Sequence, residues 1–436
     1  MSISDLSLWP PTQRNARRRL TFAFFLSLLL ACTLAPKLSA QMKLLSPDTG
    51  WFANHGHLFW TSDNGAHWKD ITPSGSAIPK GAQFGGVFFL NAAEGWATLS
   101  YPEPLAAPTP QARANQKALY MIAHTENSGE TWDVRPLTYP PLPASEQDAI
   151  AGPASLYFLD SMHGWLDVVA YQSMFNPGKL LATEDGGQTW NWVGSPIHCG
   201  PIYFHSLKDG WLISDAGARE LYVTHDGAKS WQETRLQAPS ELGAAVYPTF
   251  MEMPMFKDSQ NGYLAVHYSA PGFSSLKLVV YATQSGGKSW QPVKVLPGPA
   301  YPLVALTDSV VILPTISGKG KPTTEVVPLT SQAQPTRPVS SQRQNAITAF
   351  SFLNGSDGWA IKDGLYATDD GGATWKNISP PSKCSLLRNP EARPSFPPAR
   401  CWQFLLAGQR LPWSKRNHIR PCCSYNQPGD TRSSTI

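Results

Sequence analysis

Thr368-Asp369-Asp370-Gly371-Gly372-Ala373-Thr374-Trp375 decides the reading of this chain. Its pattern is Ser/Thr-x-Asp-x-Gly-x-Ser/Thr-Trp, and the pattern recurs. Thr183–Trp190 repeats it nearly unchanged around Asp185. Thr61–Trp68 keeps Asp63 and Gly65. Thr125–Trp132 has Asn127 in the Asp place, and Thr283–Trp290 has Ser285 there. Thr224–Trp231 keeps Asp226 but carries Ala228 where the others have Gly. Self-similarity in six copies is read before anything else, because it marks a repeat architecture.

The chemistry of the stretch is that of a turn. An Asp, Asn or Ser side chain accepts hydrogen bonds from backbone N–H groups two residues on. Glycine supplies the positive φ of a tight hairpin. The closing tryptophan starts the next strand and carries a large apolar ring inward. The six rings, Trp68, Trp132, Trp190, Trp231, Trp290 and Trp375, are therefore expected in the core. A second repeat precedes each turn: an apolar strand, often with Phe, then a polar turn, then Gly-Trp or Gly-Tyr. The copies are Gly50-Trp51, Gly95-Trp96, Gly164-Trp165, Gly210-Trp211, Gly262-Tyr263 and Gly358-Trp359.

The first repeat is the Asp-box, or BNR repeat, and resembles the hairpin between the third and fourth strands of a β-propeller blade. The combined unit resembles the propeller family of plant and cyanobacterial photosystem II assembly and stability factors, over roughly residues 42–380. The resemblance implies an all-β fold: a seven-bladed propeller of four-stranded antiparallel blades. The blades fall at about 42–73, 83–137, 154–194, 201–236, 247–295, 300–330 and 347–379. The sixth has neither Gly-Trp nor box. It reads as a degenerate blade followed by a polar connection, Ser331 to Asn345, with an insertion between two blades as the alternative. A closed ring leaves no open sheet edge.

Sixteen tryptophans and 15% charged residues suit a core of aromatic strands. The net charge of +4 hides a split: residues 1–40 and 381–436 are basic, and the propeller region 41–380 is acidic. An acidic ring argues against a nucleic-acid-binding face.

Residues 1–40 read as an export signal. Arg14, Arg17, Arg18 and Arg19 precede an apolar run from Leu20 to Ala35, and Leu38-Ser39-Ala40 offers a cleavage site. The alternatives are an uncleaved anchor and lipidation at Cys32. The expected location is periplasmic or extracellular. Residues 381–436 are basic and Pro-rich, carry Cys384, Cys401, Cys422 and Cys423, and read as a disordered tail. Disulfides there, and a frame-shifted coding sequence, are the other two readings. Cys199 reads as a buried small apolar residue.

Three functions compete. The first is a non-catalytic scaffold that holds a protein or peptide partner on its loops. The resemblance implies a chaperone-like role in building a membrane protein complex. Only six arginines lie in 41–380, so no dense basic docking patch is expected. The second is a glycoside hydrolase, because Asp-boxes also occur in sialidases and xyloglucanases. The sialidase Phe/Tyr-Arg-Ile-Pro signature is absent, and a xyloglucanase needs two opposed carboxylates, for which Asp167 and Asp215 are candidates. The third is metal binding by the boxes, which lack the six to eight oxygen ligands that calcium takes. No catalytic residue, cofactor or metal is assigned. The box side chains Asp63, Asn127, Asp185, Asp226, Ser285 and Asp370 are assigned to turns.

Strand direction alternates along a blade. The turn before Gly-Trp and the Asp-box therefore share one face. The longer loops lie on the other, and Tyr-Pro pairs recur there: Tyr101-Pro102, Tyr139-Pro140, Tyr247-Pro248 and Tyr301-Pro302. Tyrosine is favoured at interfaces, so Tyr101, Tyr139, Tyr247 and Tyr301 mark the expected binding face. Stiffening of long loops is the alternative role for these pairs.

Overall fold

The computed structural model describes residues 41–381, apart from 55, 80, 103–117, 142–148, 172–177, 195–197, 215–219, 244–245, 270–275, 298–303, 317–321 and 330–346. The signal segment, the tail with its four cysteines, Cys32, Asp215, Tyr301 and most of the insert after Pro102 lie outside the described residues.

Seven antiparallel sheets follow one another along the chain. Blade one is Gln41–Leu44, Gly50–Asn54, His57–Thr61 and Lys69–Asp70. Blade two is Gln83–Phe89, Gly95–Pro102, Ala118–Thr125 and Asp133–Pro136. Blade three is Ala149–Phe158, Gly164–Tyr171, Gly178–Thr183 and Asn191–Gly194. Blade four is Ile202–Phe204, Gly210–Ile213, Leu221–Thr224 and Gln232–Thr234. Blade seven is Ala349–Phe352, Gly358–Ile361, Leu365–Thr368 and Lys376–Asn377. Each is paired in chain order, and first strands of neighbouring blades touch, which places them innermost. This is a seven-bladed β-propeller of four-stranded blades.

Blades five and six depart from the pattern. In blade five Tyr247–Met251 and Met255–Phe256 both pair with Gly262–Ser269, ahead of Leu276–Thr283 and Gln291–Pro297. Pro254 lies in the break, and proline has no N–H to give the ladder. Blade six shows Ala305–Leu306, Val310–Ile316 and Pro322–Pro328 among the described residues. Its Val304, Leu306, Val311, Leu313 and Val327 pack on Leu278, Val280 and Leu296 of blade five. On its other side, the Thr324 hydroxyl donates to the Gly371 carbonyl of blade seven. The segment without a box therefore fills the sixth place in the ring.

The second repeat has a steric cause. Gly164 lies opposite Phe158, and a Cβ on Gly164 would sit 2.6 Å from the Phe158 ring. The same holds for Gly95 under Phe89, Gly210 under Phe204 and Gly358 under Phe352. Glycine thus lets a phenylalanine lie flat across the neighbouring strand. In blades three and four that ring stacks on the Gly-Trp indole of the preceding blade. The Phe158 and Trp96 ring centroids lie 3.6 Å apart, and those of Phe204 and Trp165 3.7 Å apart, with the ring planes nearly parallel in both pairs. Aromatic stacking adds about 0.5–1.5 kcal/mol per pair beyond burial.

These indoles, Trp51, Trp96, Trp165, Trp211 and Trp359, are all buried. Among the box tryptophans, Trp190 and Trp290 are buried, while Trp68, Trp132, Trp231 and Trp375 are half-buried. The box rings cap the joints between blades, and the Gly-Trp rings fill them. Trp132, for example, donates its indole N–H to the Ile71 carbonyl of the preceding blade at 2.7 Å.

Candidate binding site on the Asp-box face

Each box is a closed hydrogen-bond unit. In blade three the Thr183 hydroxyl donates to Asp185 Oδ1 at 2.7 Å and accepts the Gly187 N–H at 2.9 Å. Asp185 Oδ1 accepts the Thr189 N–H at 2.9 Å, and Oδ2 accepts the Thr189 hydroxyl at 2.6 Å. Asp226 and Asp370 repeat this with Ser230 and Thr374. Asp63 holds the His67 N–H, Asn127 the Thr131 N–H and Ser285 the Ser289 N–H. The acceptor therefore reaches four residues on, not two as expected from a simple Asx turn. Two consecutive residues have positive φ, and Ala228 adopts φ 76° like its glycine counterparts.

Hydrogen bonding depresses the carboxylates. The Ser230 hydroxyl and N–H bring Asp226 down to about 2, and the His67 N–H does the same for Asp63. For Asp185, burial raises the pKa, and the bonds from Thr189 and Thr183 outweigh it and lower it.

The box tips are tied to the other turn. Gly186 N–H donates to Met162 O, Gly227 to Lys208 O, Gly286 to Gln260 O and Gly371 to Ser356 O. Both turn families lie on one face, as strand alternation requires.

The tyrosines of the opposite loops are placed separately. Tyr101 is half-buried and packs on the cluster between blades one and two. Tyr139 is half-buried, its ring meets Trp192 edge-on at 5.0 Å, and burial raises its hydroxyl pKa. Trp192 in turn donates to the Pro140 carbonyl at 2.6 Å. Tyr247 begins the first strand of blade five, half-buried. The Tyr139-Pro140 pair is thus committed to packing on its own ring.

On the Asp-box face a cavity of about 410 Å³ opens between blades two and three. Glu94, from the turn before Gly95, is its central group. One Glu94 oxygen meets His124 Nε2 at 3.2 Å, and the other accepts the Ser161 hydroxyl at 2.6 Å. His124 stacks on Trp96 at 4.7 Å, and the Trp96 indole donates to the Gly186 carbonyl at 2.9 Å. Sequence reasoning missed Glu94, His124 and Ser161. The available signal was their position beside the repeats: Glu94 precedes Gly95-Trp96, and His124 precedes the box.

Glu94 is the middle member of the Ser161–Glu94–His124 set. One carboxylate thus holds the Ser161 hydroxyl of blade three and the His124 ring of blade two, and ties the two blades' turns together. Asp167, a sequence candidate for an acid, is fully buried and accepts the Gly200 N–H at 2.8 Å. Among the described residues no group of three or more His, Cys, Asp or Glu could hold a metal ion. Cys199 is a buried free thiol.

No family model matches the chain, and no curated protein matches it. Several solved structures resemble it. A structure described as YCF48 bound to D1 peptide is 14% identical, covers 78% of this chain and 96% of its own, with TM-score 0.40. An ancestral GH74 enzyme is 12% identical over 77% of this chain and 47% of its own, with TM-score 0.42. An oligogalacturonate lyase from Vibrio parahaemolyticus is 10% identical over 75% of this chain and 88% of its own, with TM-score 0.43. A β-propeller is compatible with a scaffold and with an enzyme.

Proposed function

We propose that this chain is a non-catalytic scaffold that works outside the cytoplasm and holds a segment of a protein partner belonging to a membrane complex. The carrying observation is the construction of the Asp-box face. Its turns are locked by their own side chains, and they frame a cavity of about 410 Å³. A rigid frame that presents a preformed hollow loses little freedom on binding. The box carboxylates spend their oxygens inside their own turns, which is a structural use and not an acid–base one. The basic and apolar segment of residues 1–40 supports export, with retention at the membrane through that segment or through Cys32 as a variant of the same reading.

The test has two arms. The mature chain, immobilised, is expected to retain a defined protein from membrane extract. The same preparation is expected to release no sugar from sialosides or β-glucans. Glycan release would replace the scaffold with a hydrolase.

A further inference from the structure

The cavity between blades two and three has a lining that selects its occupant. Glu94, Glu126, Asp133 and Asp185 all line it, against one guanidinium, Arg135, which is already paired with Asp133. Such a hollow concentrates positive charge.

The backbone points the same way through its hydrogen bonds. An anion would need free N–H groups, and those of both boxes are used. Gly129 donates to Thr125, Thr131 to Asn127, Gly187 to Thr183, Thr189 to Asp185 and Gly186 to Met162. The visitor must therefore bring donors.

Its shape is also constrained. Ile122 forms an apolar part of the lining, and Met162, half exposed, forms another. An aliphatic stem ending in a charged head suits such a surface. A sugar ring finds no open aromatic platform, since no Trp, Tyr or Phe lines the cavity among the described residues.

We propose that this cavity takes a lysine or arginine side chain presented by an extended peptide segment. The proposal rests on the reading of the ring as a binding scaffold and names the chemistry its partner carries there. The methylene stem lies on Ile122 and Met162, and the head meets Glu126 and shares the Asp133 carboxylate with Arg135.

The experiment measures fluorescence anisotropy of the full chain with a fluorescein-labelled Gly-Ser peptide carrying a central Arg-Lys pair. A Glu-Glu counterpart serves as control. Saturable binding of the cationic peptide alone is expected. A Glu126→Gln, Asp133→Asn double variant should bind it at least tenfold more weakly. Glu233→Gln with Glu241→Gln removes the same charge from blade four and its outgoing turn, and should leave the affinity unchanged. Gln188→Arg, which fills the cavity from an exposed position, should abolish binding by a second route. Equal losses in the two double variants would assign the effect to the net charge of the ring and overturn the proposal. So would absence of saturable binding. If the Gln188→Arg chain still retains its membrane-extract partner, the pocket fails and the scaffold stands. If the wild-type chain retains none, the scaffold itself fails.

Discussion

The Trp359 indole N–H donates to Asn64 Oδ1 at 2.9 Å, joining blade seven to the Asp-box of blade one. Trp68 returns the contact by donating to the Ile378 carbonyl at 2.6 Å. Leu44, Phe52, Trp359, Ile361 and Ile378 form one cluster beneath these bonds. The ring closes by packing, because blades one and seven are each complete in their own strands. Trp359→Ala is expected to cost about 3–5 kcal/mol, as large aromatic truncations do. Trp359→Phe keeps one aromatic ring but loses the N–H and part of the indole, and should cost less, about 1–3 kcal/mol. Urea unfolding of both variants checks the order. A Trp359→Phe variant as stable as the wild type would deny the bond a share in the seam.

Ile378 sets where the chain can be cut. It is buried, follows the last strand, and its Cβ would lie 2.6 Å from a Cβ added to Gly65. A chain ending at Pro380 is expected to keep its melting temperature. One ending at Asn377 loses the Ile378 side chain and the acceptor of Trp68, and should lose about 2–5 kcal/mol. A large drop already at Pro380 would give the remaining tail a part in closure.

Gly164 and Phe158 should be coupled. Gly164→Ala pushes a methyl onto a ring held against Trp96, at a cost of about 1–3 kcal/mol. In a Phe158→Leu background the same change should cost clearly less. A double-mutant cycle with no coupling would show that Gly164 is required for another reason.

The box aspartates predict acid sensitivity. The folded pKa of Asp63 and Asp226 lies below the ordinary 3.8, at about 2, and those of Asp185 and Asp370 are lowered too. Their stabilisation is therefore complete above the unfolded value and lost as pH falls from about 4 towards 2. Urea midpoints measured across that window should fall. Asp226→Asn, which cannot titrate, should fall less steeply. An identical slope would remove Asp226 from the effect.

The sequence by itself determined the fold and its repeat. Asp370, Gly372 and Trp375 at fixed spacing specify a turn because the side-chain bonds that shape it are local: those of Thr368 and Asp370 join residues within four positions. The alternation of strands likewise put both turn families on one face, since direction reverses at each hairpin. Local rules reached even blade six, whose apolar runs read as strands without a box. The tertiary structure decided everything that depends on two blades meeting. Gly164 reads as one copy of a Gly-Trp repeat in sequence, and only the Phe158 ring above it shows why no side chain fits. Tyr139 reads as an interface residue, and only Trp192, more than fifty positions away, shows its ring in use. Glu94, His124 and Ser161 carry no motif. They come together because adjacent blades bring one turn beside the next, and the distance in sequence between them holds no trace of that contact.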